Sequence, residues 1–369
     1  PVLLWGPRDE CPDENGMRLR DSQCGLFATG KVLRRFGIPF TYLKNCNLED
    51  ECFAEGIDRF LRVCNVVKAF RNTRVLQIST RPFDFWSTMC NEGELLEKFG
   101  IQLSPIPMPE LTQAMKDVKE NSPEEIKEVT DYCREKMCIK VTPEQLDNVA
   151  ALKIAMTRLG KKYGCNCGAI QCWNALQDEI GIMPCAANAL CNDEGFPIAC
   201  ETDIHGTITS VLVEAAAMGE TRSFFADWTV RHPYNDNAEL LQHCGPWPIS
   251  IAKEKPTIDT PVAFDCSGSL MAQAKDGEHI SLVRFDGDNG EYSLLLGNAK
   301  TVDGPYTKGT YMWVEVENLD RLEDKLVQGP YIHHCVGVKK NVVRVLYEAC
   351  KDIGVTPDLY DPIEEKVKA

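Results

Sequence analysis

Residues 197–232 read PIACETDIHGTITSVLVEAAAMGETRSFFADWTVRH, and the fold class is decided in this stretch. Two short apolar runs, PIAC and SFFA, each lead into a carboxylate, Glu201 and Asp227. Between them TITSVLVEAAAM is apolar and of helical length, opened by Gly206 and closed near Gly219. The pattern predicts strand–helix–strand, with both carboxylates at the carboxyl ends of strands. Open α/β sheets bind ligands in the crevice outside those ends. Two facing carboxylates with an imidazole nearby, here His243, suit a hard divalent cation and acid–base chemistry.

Working outward, the first half alternates strand and helix signals. VLLWGP, FTYL, RVLQIS, IQLSPIPM and GCNCGAIQ read as strands. CGLFATGKVLRRFG, the long amphipathic run LEDECFAEGIDRFLRVCNVVKAFR, Glu92–Gly100 and WNALQDEIG read as helices. Ser122-Pro-Glu-Glu and Thr142-Pro-Glu-Gln each combine a hydroxyl cap, proline at the first helical position and a capping-box partner. Repeated β–α alternation implies a largely parallel sheet. Composition changes after about Asp227, and from Gly245 onward PVAFDCSGSLMAQA (261–274), EHISLVRF, EYSLLLGNA and YMWVEVENL read as strands joined by turns; a helix KNVVRVLYEACKDIG follows His333-His334, which end a predicted strand. FDGDNGEY has acids in calcium-loop style but lacks an EF-hand's length and distal glutamate, and Asn289-Gly290 signals a hairpin instead. The expected architecture is a parallel-sheet, Rossmann-like α/β domain over residues 1–225, then a β-rich, barrel-like domain with a terminal helix over 226–369.

At 369 residues the chain can build a large core, and 44% hydrophobic with 26% charged residues is ordinary for a globular protein. A net charge of -15 argues against nucleic acid or an anionic membrane as partner. No apolar run reaches the length of a membrane span. The absence of a Walker loop and of G-x-G-x-x-G argues against nucleotide chemistry. The chain opens at Pro1 directly in an apolar segment, which fits one part of a longer polypeptide. Eighteen cysteines without paired C-x-x-C spacing read as reduced, mostly buried thiols, pointing to a cytoplasmic protein.

Six histidines occur. His232 and His279 read as ordinary hydrogen-bonded residues. A lone carboxylate at a strand end commonly caps a helix or carries surface charge. Two in one strand–helix–strand unit, with a His-His pair on a later strand, favour a site.

The segment CETDIHGTITSVLVEAAAMGETRSFFADW (200–228) resembles the metal-ligand region of the L-fucose isomerase and L-arabinose isomerase superfamily. In fucose isomerases a glutamate in an E-x-D-x-x-x-G context precedes, by about one helix, a strand ending F-A-D. SFFADWT is also similar to the S-F-M-E-D-Y-T segment of the arabinose branch, but Ala226 stands where that branch has glutamate, so Asp227 follows the fucose-isomerase pattern. LLQHCGPWP resembles the downstream histidine segment, and YIHHCVGV the late H-H-T or N-H-G segment, pointing to His243 and His334. WGPRD and RDSQCGLFATGKVLRRFGIPF resemble the family's second domain, and no counterpart of the first amino-terminal domain is visible.

The resemblance implies an aldose–ketose isomerase acting on a fucose- or arabinose-like sugar through a cis-enediol. It implies Mn²⁺, or another divalent cation such as Mg²⁺, held by Glu201, Asp227 and His334, with Glu201 and Asp227 also moving protons. His243, His333, Arg81, Trp86, Gln171 and Trp247 are the expected sugar contacts. A homo-oligomer is expected, because family sites are shared between subunits. Two other readings stay open: a non-catalytic sugar-binding protein on the same scaffold, and a zinc or iron–sulfur protein built on Cys165–Cys200.

Overall fold

The computed structural model describes residues 1–261 and 265–360. It is mixed α/β, with a small parallel sheet and a closed, barrel-like sheet in the C-terminal part. The parallel sheet has the order Gln102–Ile106, Arg74–Ile78, Cys167–Ile170, Ile198–Ala199. Its central strand buries Val75, Leu76 and Ile78, an apolar run covered by helices on both faces.

The second sheet closes a ring among the described residues. Its strands follow the order Glu291–Val302, Ile280–Asp288, His334–Val338, Ser223–His232, Asn235–His243, Thr310–Glu315, which returns to Glu291–Val302. Closure leaves no open edge within the ring. The hairpin between Ile280–Asp288 and Glu291–Val302 turns on Asn289 (φ 49°) and Gly290 (φ 83°), the two left-handed residues that a tight Asn-Gly hairpin turn needs. Cys138–Ile139 pairs with Thr257–Asp259 and ties the helical region to the large sheet.

Helix Ile204–Ala216 stands between the two parts. It packs on helix Glu51–Arg71 and on strands Ile280–Asp288 and His334–Val338. Ile204, Ile208, Leu212 and Val213 are buried, each contributing roughly 1.5–3 kcal/mol of burial. Gly206 allows the close approach: a Cβ there would lie 2.5 Å from the Phe225 ring and 2.6 Å from Oδ2 of Asp203. Asp203 caps this helix, accepting the Gly206 N–H at 2.9 Å.

Several sequence expectations change. Asp227 is in the middle of Ser223–His232, not at its end, and that strand belongs to the barrel-like sheet, antiparallel to both neighbours. The carboxylates therefore come from two different sheets and not from one parallel unit. The expected domain boundary after residue 225 falls inside this strand. The strand bearing His334 begins there, where the sequence predicts it to end. Helices Met108–Asn121 and Cys185–Asp193 are additional. Of the strand expected over 261–274, Ser269–Gln273 forms one, and 262–264 lie outside the described residues.

Thr142 and Gln145 form the full capping box. Ser122 does not cap; its hydroxyl and Glu125 are both taken by Arg158, at 2.9 and 2.6 Å. A nearby guanidinium outcompeted a local backbone bond. All eighteen cysteines are free thiols.

Candidate active site

Glu201 is presented by a strained turn just beyond the strand Ile198–Ala199. Glu201 (φ 55°) and Thr202 (φ 54°) are consecutive non-glycine residues in the left-handed region, a conformation costing about 1–3 kcal/mol each. The surroundings enforce it. Cys172 Sγ accepts the Glu201 N–H at 3.3 Å, the Ile170 carbonyl accepts Thr202 N at 3.0 Å, and Thr202 Oγ1 donates to the Thr80 carbonyl at 3.0 Å. The outcome is a buried carboxylate aimed at the barrel-like sheet.

There it meets side chains fixed by strand register. His334 and Asp227 are direct cross-strand partners, and Asp227 faces Gln242, the neighbour of His243. His334 Nε2 lies 3.0 Å from Glu201 Oε2 and 3.6 Å from Asp227 Oδ1. His243 Nε2 lies 3.7 Å from Glu201 Oε2 and 3.9 Å from Asp227 Oδ1. Yet these four atoms make no hydrogen bond, although an unpaired buried polar atom costs about 1–3 kcal/mol. Two carboxylate oxygens and two imidazole nitrogens converging without partners form a donor set that fits a divalent cation.

The mutual arrangement differs in one respect from the expected ligand set. The ligand atoms within 4.8 Å of one another belong to Asp227, His333 and His334. Glu201 joins through its 3.0 Å approach to His334. His333, expected to touch sugar, is thus placed among the groups that could hold a metal ion.

The charges are set by neighbours. Burial pushes the Glu201 carboxyl up, but His243 and His334 outweigh it and hold it well below the usual carboxylate range. Burial dominates at Asp227, with Glu201 adding and the two imidazoles opposing, so its carboxyl is raised. Burial pulls His334 down, but the Asp203 hydrogen bond and the charges of Glu201 and Asp203 lift it to about 10. His243 is lifted against burial to about 8 by Asp227 and Glu201.

Behind His334 runs a buried chain of polar residues. Asp203 Oδ2 lies 2.8 Å from His334 Nδ1, and Arg284 donates to Asp203 through its two terminal guanidinium nitrogens. Arg284 Nε donates to Asp286 Oδ2 at 2.9 Å, and Asp286 Oδ1 lies 2.9 Å from His205 Nδ1. None of these four residues stands among the sites expected from sequence. Asp203 had a signal, the second carboxylate of ETD. Arg284 had none, since nothing in SLVRFDGD distinguishes a buried arginine from a surface one.

The remaining expected contacts are dispersed. A cleft of about 620 Å³ opens beside the Glu201 turn, lined by Gln77, Arg81, Thr88, Gln171, Thr202 and Ile204. Thr88 Oγ1 donates to the Glu201 carbonyl at 3.4 Å, linking cleft and turn. Gln171 accepts from Ser79 Oγ at 2.7 Å. Arg81 sits 5.1 Å over the Trp86 ring, which is 70% exposed. Trp247 is 1% exposed, packs beside Phe224, and donates to the Phe225 carbonyl at 2.6 Å. It is a core residue, with no ring surface to offer a sugar, and is not carried into the site.

The opening residues 1–71 match the family model described as Fucose/sulfoquinovose isomerase, N-terminal domain. The chain is also similar over most of its length to proteins named sulfoquinovose isomerase. One from Priestia megaterium is 25% identical over 367 residues, 98% of this chain and 80% of its own. One from Alkalicoccus urumqiensis is 25% identical over 308 residues, 83% of this chain and 68% of its own. Together these matches support a fucose isomerase-like protein. The matched model is that of the N-terminal domain, where the sequence resemblance implies the second.

Proposed function

We propose that this chain is a metal-dependent aldose–ketose isomerase whose centre is Glu201, Asp227 and His334, with His243 and His333 beside them. Similarity to sulfoquinovose isomerases supports the reaction class. The observation that carries the site is the convergence of unpaired Glu201 Oε2, Asp227 Oδ1, His243 Nε2 and His334 Nε2. A divalent cation held there, manganese for preference, would act as a Lewis acid toward adjacent sugar oxygens.

Interconverting aldose and ketose moves one proton between C1 and C2 and a second between O2 and O1, through a cis-enediol. Glu201, held ionised, binds as a carboxylate throughout. Asp227 takes the proton from one carbon on the carboxylate oxygen left free by the cation and returns it to the other. His334 is oriented by Asp203 so that Nε2 faces the reacting side. The cleft carrying Arg81, Gln171 and Thr202 holds the remainder of the sugar.

Sulfoquinovose is the first substrate to assay, beside fucose- and arabinose-like sugars. With manganese in D₂O, a carboxylate-borne proton exchanges with solvent, so deuterium should appear at C1 or C2 of the product. Product without deuterium would indicate a hydride shift. No isomerisation of any sugar, with metal bound, would leave the sugar-binding reading in its place.

A further inference from the structure

Far along the sequence from this centre, Cys46, Asp50 and Cys52 bring three ligand atoms within 4.8 Å of one another. They lie where the loop after Thr41–Tyr42 enters helix Glu51–Arg71. The loop is held in place: Trp5 Nε1 donates to the Cys46 carbonyl at 3.2 Å, and Asn45 Nδ2 donates to the carbonyls of Gly6 and Pro7 at 2.9 and 2.7 Å. Asp50 precedes the helix, yet its side chain does not cap it; Oδ2 accepts the Asn47 N–H at 2.8 Å instead. Cys46 is buried, while Asp50 and Cys52 are half-buried. Glu49 and Glu51 flank Asp50 and add negative charge.

We propose that Cys46, Asp50 and Cys52 form a second metal site, for a thiophilic divalent cation such as zinc. Two sulfurs and one oxygen are the wrong donors for manganese or magnesium and the right ones for zinc. Around a tetrahedral zinc, with Zn–S near 2.3 Å and Zn–O near 2.0–2.2 Å, ligand atoms stand about 3.5–3.8 Å apart. The present spacing, within 4.8 Å, is wider than that, and a metal ion would draw the three side chains together by rotation about their own bonds. The half-buried side of the cluster leaves the fourth position to water. On binding, both thiols release their protons to solvent and no electrons move. The site clips the loop to the first turn of the helix, and its role is structural. It does not depend on the isomerase reading.

The test uses the whole reduced protein with Co²⁺ as the spectroscopic probe. The wild type should show a thiolate-to-cobalt charge-transfer band that zinc abolishes by displacement. The Cys46→Ser/Cys52→Ser pair should remove the band, and Glu201→Gln should leave it unchanged. Asp50→Asn should keep the band but weaken cobalt binding at least about tenfold, the lower bound for loss of even an outer-shell group. If circular dichroism shows the double variant unfolded, Cys52→Ser alone should roughly halve the band, since one of two thiolates is gone. A missing wild-type band, a band retained without the two thiols, or undiminished affinity in Asp50→Asn overturns the assignment.

Discussion

Oδ2 of Asp203 lies 2.8 Å from Nδ1 of His334, and both side chains are fully buried. The carboxylate fixes which imidazole nitrogen faces the site, leaving Nε2 toward Glu201 and Asp227. Histidine ligands are commonly oriented by such a carboxylate. Asp203 is itself held by Arg284 and by the Gly206 N–H, so the imidazole inherits the rigidity of helix Ile204–Ala216. Replacing Asp203 by Asn should weaken metal binding roughly 10–100-fold. It should also destabilise the protein by about 3–5 kcal/mol, because Arg284 keeps a buried charge with half its pairing. Metal titration and urea denaturation read the two effects separately.

Glu201→Gln keeps the shape of the turn and removes the ionised oxygen nearest His334. Metal retention should be lost while circular dichroism is unchanged. Elemental analysis showing full metal occupancy in this variant would put the site elsewhere.

Asp227→Asn removes the group assigned to carry the proton. Turnover should drop by about 10²–10⁴-fold, the usual range for a general base, with sugar affinity little altered. Parallel measurement of kcat and of sugar binding distinguishes this from loss of a binding contact.

Glu239, in Asn235–His243, gives a pH-dependent expectation outside the site. Burial, with Glu323 adding and Arg231 opposing, lifts its carboxyl from 4.5 to about 7. The folded chain therefore holds this proton more tightly than the unfolded chain. Its contribution is fully present below about 4.5 and is lost as pH rises through about 7. Glu239→Gln should raise stability near pH 8 by about 1–2 kcal/mol after allowance for screening, and by nothing near pH 4. Urea unfolding at the two pH values is the measurement.

Light scattering at micromolar concentration should show a homo-oligomer. Phe83 and Trp86, 88% and 70% exposed, present aromatic surface on the loop beside the cleft, as expected if a neighbouring subunit covers it. A monomer at that concentration removes the shared-site expectation.

The strand–helix–strand order of 197–232 was legible because apolar runs of strand and helix length alternate between glycines. Glu201 and Asp227 stood out because a carboxylate directly following a buried run is chemically expensive without a purpose. Asn289-Gly290 fixed its hairpin, since few residue pairs accept two positive φ angles. Thr142 fixed its capping box with Gln145, whereas Ser122 lost its capping role to Arg158, a competitor distant in sequence. Only the tertiary structure could move Asp227 into a different sheet from the strand preceding Glu201, because local pattern does not say which strand a given strand will pair with. The register His334↔Asp227, the burial of Trp247 and the Asp203–Arg284–Asp286 chain arise the same way. Each depends on residues far apart in sequence meeting in a dry interior, where an unpaired charge or indole N–H must find whichever partner the packing supplies.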